Sequence, residues 1–178
     1  MIDSDSQARV FISVGSNIEP AGNILRAFDL LKEKFRIVAV STFYRTEPIG
    51  KPEQASFVNG VWCIETAMDP RALKFEVLRA IETQLGRQRS DDKYADRTID
   101  LDILLYGDRV VDEPDLKIPD PDIRRRPFLL FALVELAAEL VFPDTGEPLI
   151  SVVKPYVGTG LVPEADLTIS LMARWENG

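Results

Sequence analysis

The chain has 178 residues, 21 Lys+Arg against 29 Asp+Glu and a formal net charge of −8, with 46% hydrophobic and 28% charged residues. This is one domain's length in globular composition, with an acidic balance that disfavours a broad nucleic-acid footprint. The absence of histidine excludes Ser-His-Asp and Cys-His catalysis and His-bearing zinc sites, and the single cysteine, Cys63, excludes an intramolecular disulfide.

Val10–Val14 reads as a strand running into the turn Gly15-Ser16-Asn17. Ile24, Phe28, Leu31 and Phe35 then share one helix face, and Ile37–Tyr44, rich in β-branched and aromatic residues, reads as a second strand. Thr46–Ser56, with two prolines and a glycine, is a long loop, and Phe57–Glu65 is a third strand in which Trp62 and Cys63 belong to the core. Asp69-Pro70 opens a helix whose buried stripe is Leu73, Val77, Ile81 and Leu85 and whose stop is Gly86. A polar loop, Arg87–Asp96, leads into a fourth strand, Thr98–Tyr106, and Gly107-Asp108 turns the chain back. After the acidic, proline-rich stretch Asp112–Asp122, Pro127 begins a helix ending near Leu140; beyond Phe142 the periodicity is weak. The order β-α-β-β-α-β resembles an α+β, ferredoxin-like sandwich, with a small doubly wound sheet as the alternative. Met1–Ser6 lacks the charged-then-apolar pattern of a signal segment. The longest apolar stretch, 128–140, contains Glu135 and Glu139 and is too short to span a bilayer, so the expectation is a cytoplasmic protein.

Chemistry concentrates in Arg97-Thr98-Ile99-Asp100-Leu101-Asp102-Ile103-Leu104-Leu105. Strand alternation predicts Ile99, Leu101, Ile103 and Leu105 on one face and Thr98, Asp100 and Asp102 on the other. Two carboxylates so placed sit about 6.5 Å apart at their backbones and can converge on a hard cation, Mg²⁺ before zinc. The competing reading is a charged edge strand, although the strongly apolar opposite face predicts a central one. The preceding loop gathers Arg87, Arg89, Lys93 and Arg97, either as a polyphosphate clamp beside the aspartates or as a solvated loop balanced by Asp91, Asp92 and Asp96. Gly15-Ser16-Asn17 lacks the P-loop lysine and reads as a plain strand-to-helix turn.

Read together, several segments resemble the 6-hydroxymethyl-7,8-dihydropterin pyrophosphokinase family. They are Gly15-Ser16-Asn17, Phe43-Tyr44-Arg45-Thr46-Glu47-Pro48, Phe57-Val58-Asn59, Gly86-Arg87-Gln88-Arg89, Arg97–Asp102 and Glu139–Asp144, and the resemblance spans about residues 9–149. It implies a three-layer α-β-α sandwich with a ferredoxin-like core and a mainly antiparallel sheet, with residues 150–178 as a C-terminal extension. It also implies transfer of pyrophosphate from ATP to the hydroxymethyl group of the pterin, with release of AMP. Asp100 and Asp102 match the family's ligands for two Mg²⁺ ions, and Arg87 and Arg97 match arginines on the ATP phosphates. Arg89, Tyr94, Ile103 and Arg126 match further ATP-side positions. For the pterin, Asn59 matches the residue reading the ring's polar edge, Phe57 and Phe128 the aromatic walls, and Thr46, Pro48 and Ile49 the lining loop. Three positions depart from the pattern: Asp120 stands where many relatives have histidine, Tyr94 where tryptophan is frequent, and Phe57 where tyrosine is frequent. The implied partners are ATP and the pterin; the acidic balance and the short apolar stretch give the expectation of no nucleic acid and no membrane, and the expected state is a monomer. A catalytically degenerate pterin- or nucleotide-binding module is the alternative.

Overall fold

The computed structural model of the chain describes residues 7–48, 53–92, 95–156 and 160–177. The expected elements form with shifted ends. Strand β1 (Ala8–Ser16) leads to helix α1 (Pro20–Lys32), then β2 (Arg36–Val40), β3 (Tyr44–Thr46) and β4 (Phe57–Thr66). Residues 70–84 are one helical run: α2 (Pro70–Ala72), a π-type segment (Leu73–Leu78) and α3 (Arg79–Gln84). Asp69 caps it as expected, its side chain accepting from Arg71 N at 2.9 Å. Then come β5 (Asp100–Tyr106), the hairpin β6 (Val111–Glu113) and β7 (Leu116–Ile118), and the helices α4 (Pro127–Ala137) and α5 (Leu149–Val153). Strand β8 (Val162–Pro163) and helix α6 (Ala165–Glu176) close the described chain.

The sheet order is β5-β1-β4-β3-β8, with β2 also pairing with β4, and every pairing is antiparallel. This is the ferredoxin-like arrangement in three layers. One face carries Val10, Ile12, Val14, Trp62 and Ile64 against α1, the 70–84 helix and Leu167 and Leu171 of α6. The other carries Phe11, Val61, Cys63 and Leu105 against α4 and α5. Phe28 meets Trp62 edge-to-face at 5.3 Å between centroids, in the middle of the first layer. Among the described residues no helix is long and apolar enough to cross a membrane.

Three expectations are corrected. Ile37–Tyr44 is two strands, because the chain breaks at residues 41–43: Val61 N donates to Ser41 Oγ at 2.9 Å, so a side chain takes a ladder position. Strand β5 terminates the sheet and is not central; its apolar face is covered by the 70–84 helix, so burial there does not require a strand on each side. Leu105 does not follow Ile99, Leu101 and Ile103. The register between β1 and β5 shifts after Phe11↔Leu105 to Ile12↔Ile103, leaving Leu104 as the extra residue of a bulge and turning Leu105 to the α4 side.

Candidate active site

The site lies on the α4 face of the sheet, at the end where β1, β4 and β5 run side by side. Gly15 of β1 stands opposite Asn59 on β4 and opposite Asp100 on β5, and two residues further along the same face Ser13 stands opposite Val61 and Asp102. One row across three strands therefore carries an amide, a bare backbone and a carboxylate. Antiparallel spacing puts Asn59 and Asp100 roughly 10 Å apart at their Cα atoms. The bare position is required: a Cβ on Gly15 would lie 2.6 Å from Asn59 Oδ1. Asn59 is fixed from its other side, its Nδ2 donating to Thr46 Oγ1 at 2.7 Å.

Above this floor opens a cavity of about 760 Å³. Of the expected site residues, Thr46, Phe57, Asn59, Arg97, Asp100, Asp102, Arg126 and Phe128 line it. Arg87 sits behind the rim, its Nη1 donating to Ile99 O at 3.1 Å and lying 3.4 Å from Asp100 Oδ1. Its Nε is buried without a hydrogen-bond partner. Arg89 pairs with Glu82 away from the cavity wall. Pro48 is half-buried and does not line the cavity. Ile103 is buried in the core on the opposite face of β5, so its side chain does not reach the cavity. Ile49 and Tyr94 lie outside the described residues.

Both aspartates meet cations. Arg97 and Arg87 flank Asp100, and Lys74 Nζ lies 3.5 Å from Asp102 Oδ1. Surrounding protein and the neighbouring Asp100 push the Asp102 carboxyl up to about 7, against the pull of Lys74. Its side chain is 41% exposed, open to the cavity it lines. Asp120, also on the wall, is raised chiefly by burial; its carboxylate accepts from Asp122 N at 2.7 Å, so it caps the turn Pro121–Arg124.

The donor set fits Mg²⁺. Two hard carboxylates project from one strand face, and among the described residues no cluster of three or more His, Cys, Asp or Glu forms a protein-only metal cage. That leaves coordination positions for phosphate oxygens and water, the usual manner of binding this ion.

Several contributors escaped sequence reasoning. Glu82 falls beside Ile81 on the buried stripe of its helix, and a charge at such a position was the available signal. Lys74 gave no signal next to Leu73. Gly15-Ser16-Asn17 is more than a turn: Ser16 Oγ donates to Thr98 O at 2.6 Å, Asn17 Nδ2 donates to Asp96 Oδ1 at 2.6 Å, and Asn17 Oδ1 accepts from Arg97 N at 2.7 Å. Ser16 and Asn17 anchor the segment that delivers Arg97 to Asp100.

With this geometry in place, comparison with known proteins is direct. The model of the 7,8-dihydro-6-hydroxymethylpterin-pyrophosphokinase (HPPK) family matches residues 11–138. A 2-amino-4-hydroxy-6-hydroxymethyldihydropteridine pyrophosphokinase of Pseudomonas aeruginosa is 44% identical over 140 residues, covering 76% of this chain and 85% of that protein. Its Haemophilus influenzae namesake is 37% identical over 139 residues, with the same coverage. Among solved structures, a Plasmodium falciparum HPPK-DHPS chain superposes with a TM-score of 0.68 at 16% identity, over 87% of this chain; the chain spans 46% of that fused protein. The chain belongs to the HPPK family.

Proposed function

We propose that the chain transfers pyrophosphate from ATP to 6-hydroxymethyl-7,8-dihydropterin, giving AMP and the pterin diphosphate for folate biosynthesis. The observation that carries this reading is the convergence of Asn59, Phe57, Phe128, Arg97, Asp100 and Asp102 on one cavity in a member of this family. A flat heterocycle suits the Phe57–Phe128–Asn59 end, where faces gain from aromatic contact and the polar edge needs a fixed partner. Thr46 keeps Asn59 in one orientation, so that partner is pre-set.

Asp100 and Asp102 would hold Mg²⁺, two ions in the full reading, which when bound neutralises phosphate charge and lowers the pKa of a nearby hydroxyl. The pterin's primary alcohol attacks the β-phosphorus of ATP in line. A new oxygen–phosphorus bond forms, the β-phosphorus bond to the oxygen bridging to the α-phosphate breaks, the alcohol proton is lost, and AMP leaves. Arg97 and Arg87, held next to Asp100, exchange that partner for phosphate oxygens and stabilise charge developing on the transferred group. Arg126 contributes from the α4 end of the cavity, whereas Arg89 would reach the ATP only by leaving Glu82. No histidine base is needed, since positioning and electrostatics carry most of phosphoryl transfer. The finer reading is of a monomeric cytoplasmic enzyme whose partners are these two substrates.

The test mixes the protein with ATP, Mg²⁺ and the pterin alcohol and separates the nucleotides. AMP formed in step with pterin diphosphate is expected. ADP in place of AMP would mean attack at the γ-phosphorus and overturn the mechanism, and pterin binding without AMP would favour a degenerate binding module.

A further inference from the structure

The family match ends at residue 138, yet Gly160, Leu161 and Val162 line the same cavity as Thr46, Phe57 and Asn59. The placement follows from strand pairing. β8 pairs with β3, Arg45 opposite Val162 and Tyr44 opposite Pro163, while the other edge of β3 pairs with β4, Thr46 opposite Phe57 and Tyr44 opposite Asn59. The C-terminal segment thus lies one strand away from the residues assigned to the pterin.

Its attachment is built from independent contacts. Glu164 N donates to Phe43 O at 2.8 Å, and Glu164 forms an ion pair with Arg45. Thr168 Oγ1 accepts from the buried Phe43 N at 3.0 Å and donates to Glu164 O at 2.9 Å. Leu167 and Leu171 of α6 enter the main core, and Leu161 packs against the α4-side core. β3 is therefore clamped between β4 and the C-terminal segment, and β3 carries the Thr46 hydroxyl that orients Asn59. Apolar side chains at 161 and 162 also suit the body of a pterin better than a polyphosphate.

We infer that Gly160–Val162 form a wall of the pterin subsite, held in place by the Glu164 and Thr168 clamp on β3. Residues beyond the family match thereby help set affinity for the alcohol substrate. The inference rests on the proposed pyrophosphate transfer.

The test compares steady-state kinetics of the full chain with Val162→Ser, Leu161→Ala and Thr168→Val. Val162 is 58% exposed, so its substitution does not endanger folding. Losing one or two methyl contacts predicts a rise of about three- to tenfold in KM for 6-hydroxymethyl-7,8-dihydropterin, with KM for ATP within about twofold of wild type. Thr168→Val keeps the side-chain shape and removes the acceptor for Phe43 N, so a lower Tm together with a raised pterin KM is expected. An unchanged pterin KM in Val162→Ser and Leu161→Ala, or a rise confined to ATP, overturns the wall. A Tm loss with unchanged pterin KM in Thr168→Val overturns the clamp. If the wild-type chain itself releases no AMP, the functional reading fails and the inference falls with it, a result distinct from normal turnover with unaltered variants.

Discussion

Glu82 Oε1 accepts the backbone amide of Leu101 at 2.8 Å, while Oε2 of the same carboxylate pairs with the Arg89 guanidinium. One buried side chain thus ties helix α3 to the exposed edge of β5, between Asp100 and Asp102, and to the loop bearing the arginines. Burial raises its pKa, and the Leu101 amide opposes that rise.

Glu82→Ala strands the Leu101 amide and is expected to cost about 1–3 kcal/mol in urea unfolding. Glu82→Gln keeps an acceptor for that amide and loses only the charge on Arg89, so its loss is the smaller. Equal losses in the two variants would remove the hydrogen bond from the account.

Asp100→Asn and Asp102→Asn are each expected to lower kcat by about 10³-fold, the scale of deleting one preorganised electrostatic group. Neither should unfold the protein, since each relieves repulsion between neighbouring carboxylates. Single-turnover AMP formation alongside circular dichroism checks both statements. A variant with normal turnover has no metal role.

The raised Asp102 carboxyl also fixes the sign of a pH effect. Its folded value of about 7 exceeds the ordinary aspartate value, so the folded state binds the proton more tightly than the unfolded state. Without metal, the contribution of Asp102 to stability is therefore expected to fall as pH rises from about 4 to 7. Mg²⁺ should restore it at the upper end by competing with the proton, and Asp102→Asn should flatten the profile. Thermal melts of both proteins across that range, in EDTA and in Mg²⁺, provide the check; a metal-free wild-type profile parallel to that of Asp102→Asn would contradict the assignment.

Two glycines separate function from packing. At Gly15 an added Cβ meets Asn59 Oδ1 at 2.6 Å, whereas at Gly60 it meets the Phe43 ring at 2.5 Å. Gly15→Ala should raise the pterin KM by about tenfold through displacement of Asn59, roughly one lost hydrogen bond. Gly60→Ala drives a methyl group into a packed aromatic and should cost about 1–3 kcal/mol of stability. Kinetics and melts on the same two variants distinguish the outcomes.

The framework was legible because β1, β4 and β5 carry enough apolar alternation to reveal their period, and Asp69-Pro70 marks its helix start by local chemistry. The aspartate pair was legible for the same reason. What escaped depends on long-range pairing. The Leu104 bulge exists only relative to β1, and the edge position of β5 only relative to the whole sheet. Helix α6 did leave a signal, Leu167, Leu171 and Trp175 at four-residue spacing, but β8 is two residues long and means nothing until β3 lies beside it. Ile103 shows the converse limit: a motif fixes a residue's place in the chain, while the strand face decides whether its side chain meets the cavity.

The borders of the sheet have a consequence for association between copies. At one border Glu82 occupies the Leu101 amide, Asp120 N donates to Leu104 O at 2.9 Å, and two aspartates charge the strand. At the other, Trp175 Nε1 donates to Ile37 O at 2.9 Å on β2, and β8 stops after two residues, one of them a proline without an amide proton. Each of these contacts removes a ladder group that an incoming strand would need. These border contacts thereby also guard the sheet against templated growth, and a substitution that frees either border is expected to show itself first as aggregation on concentration.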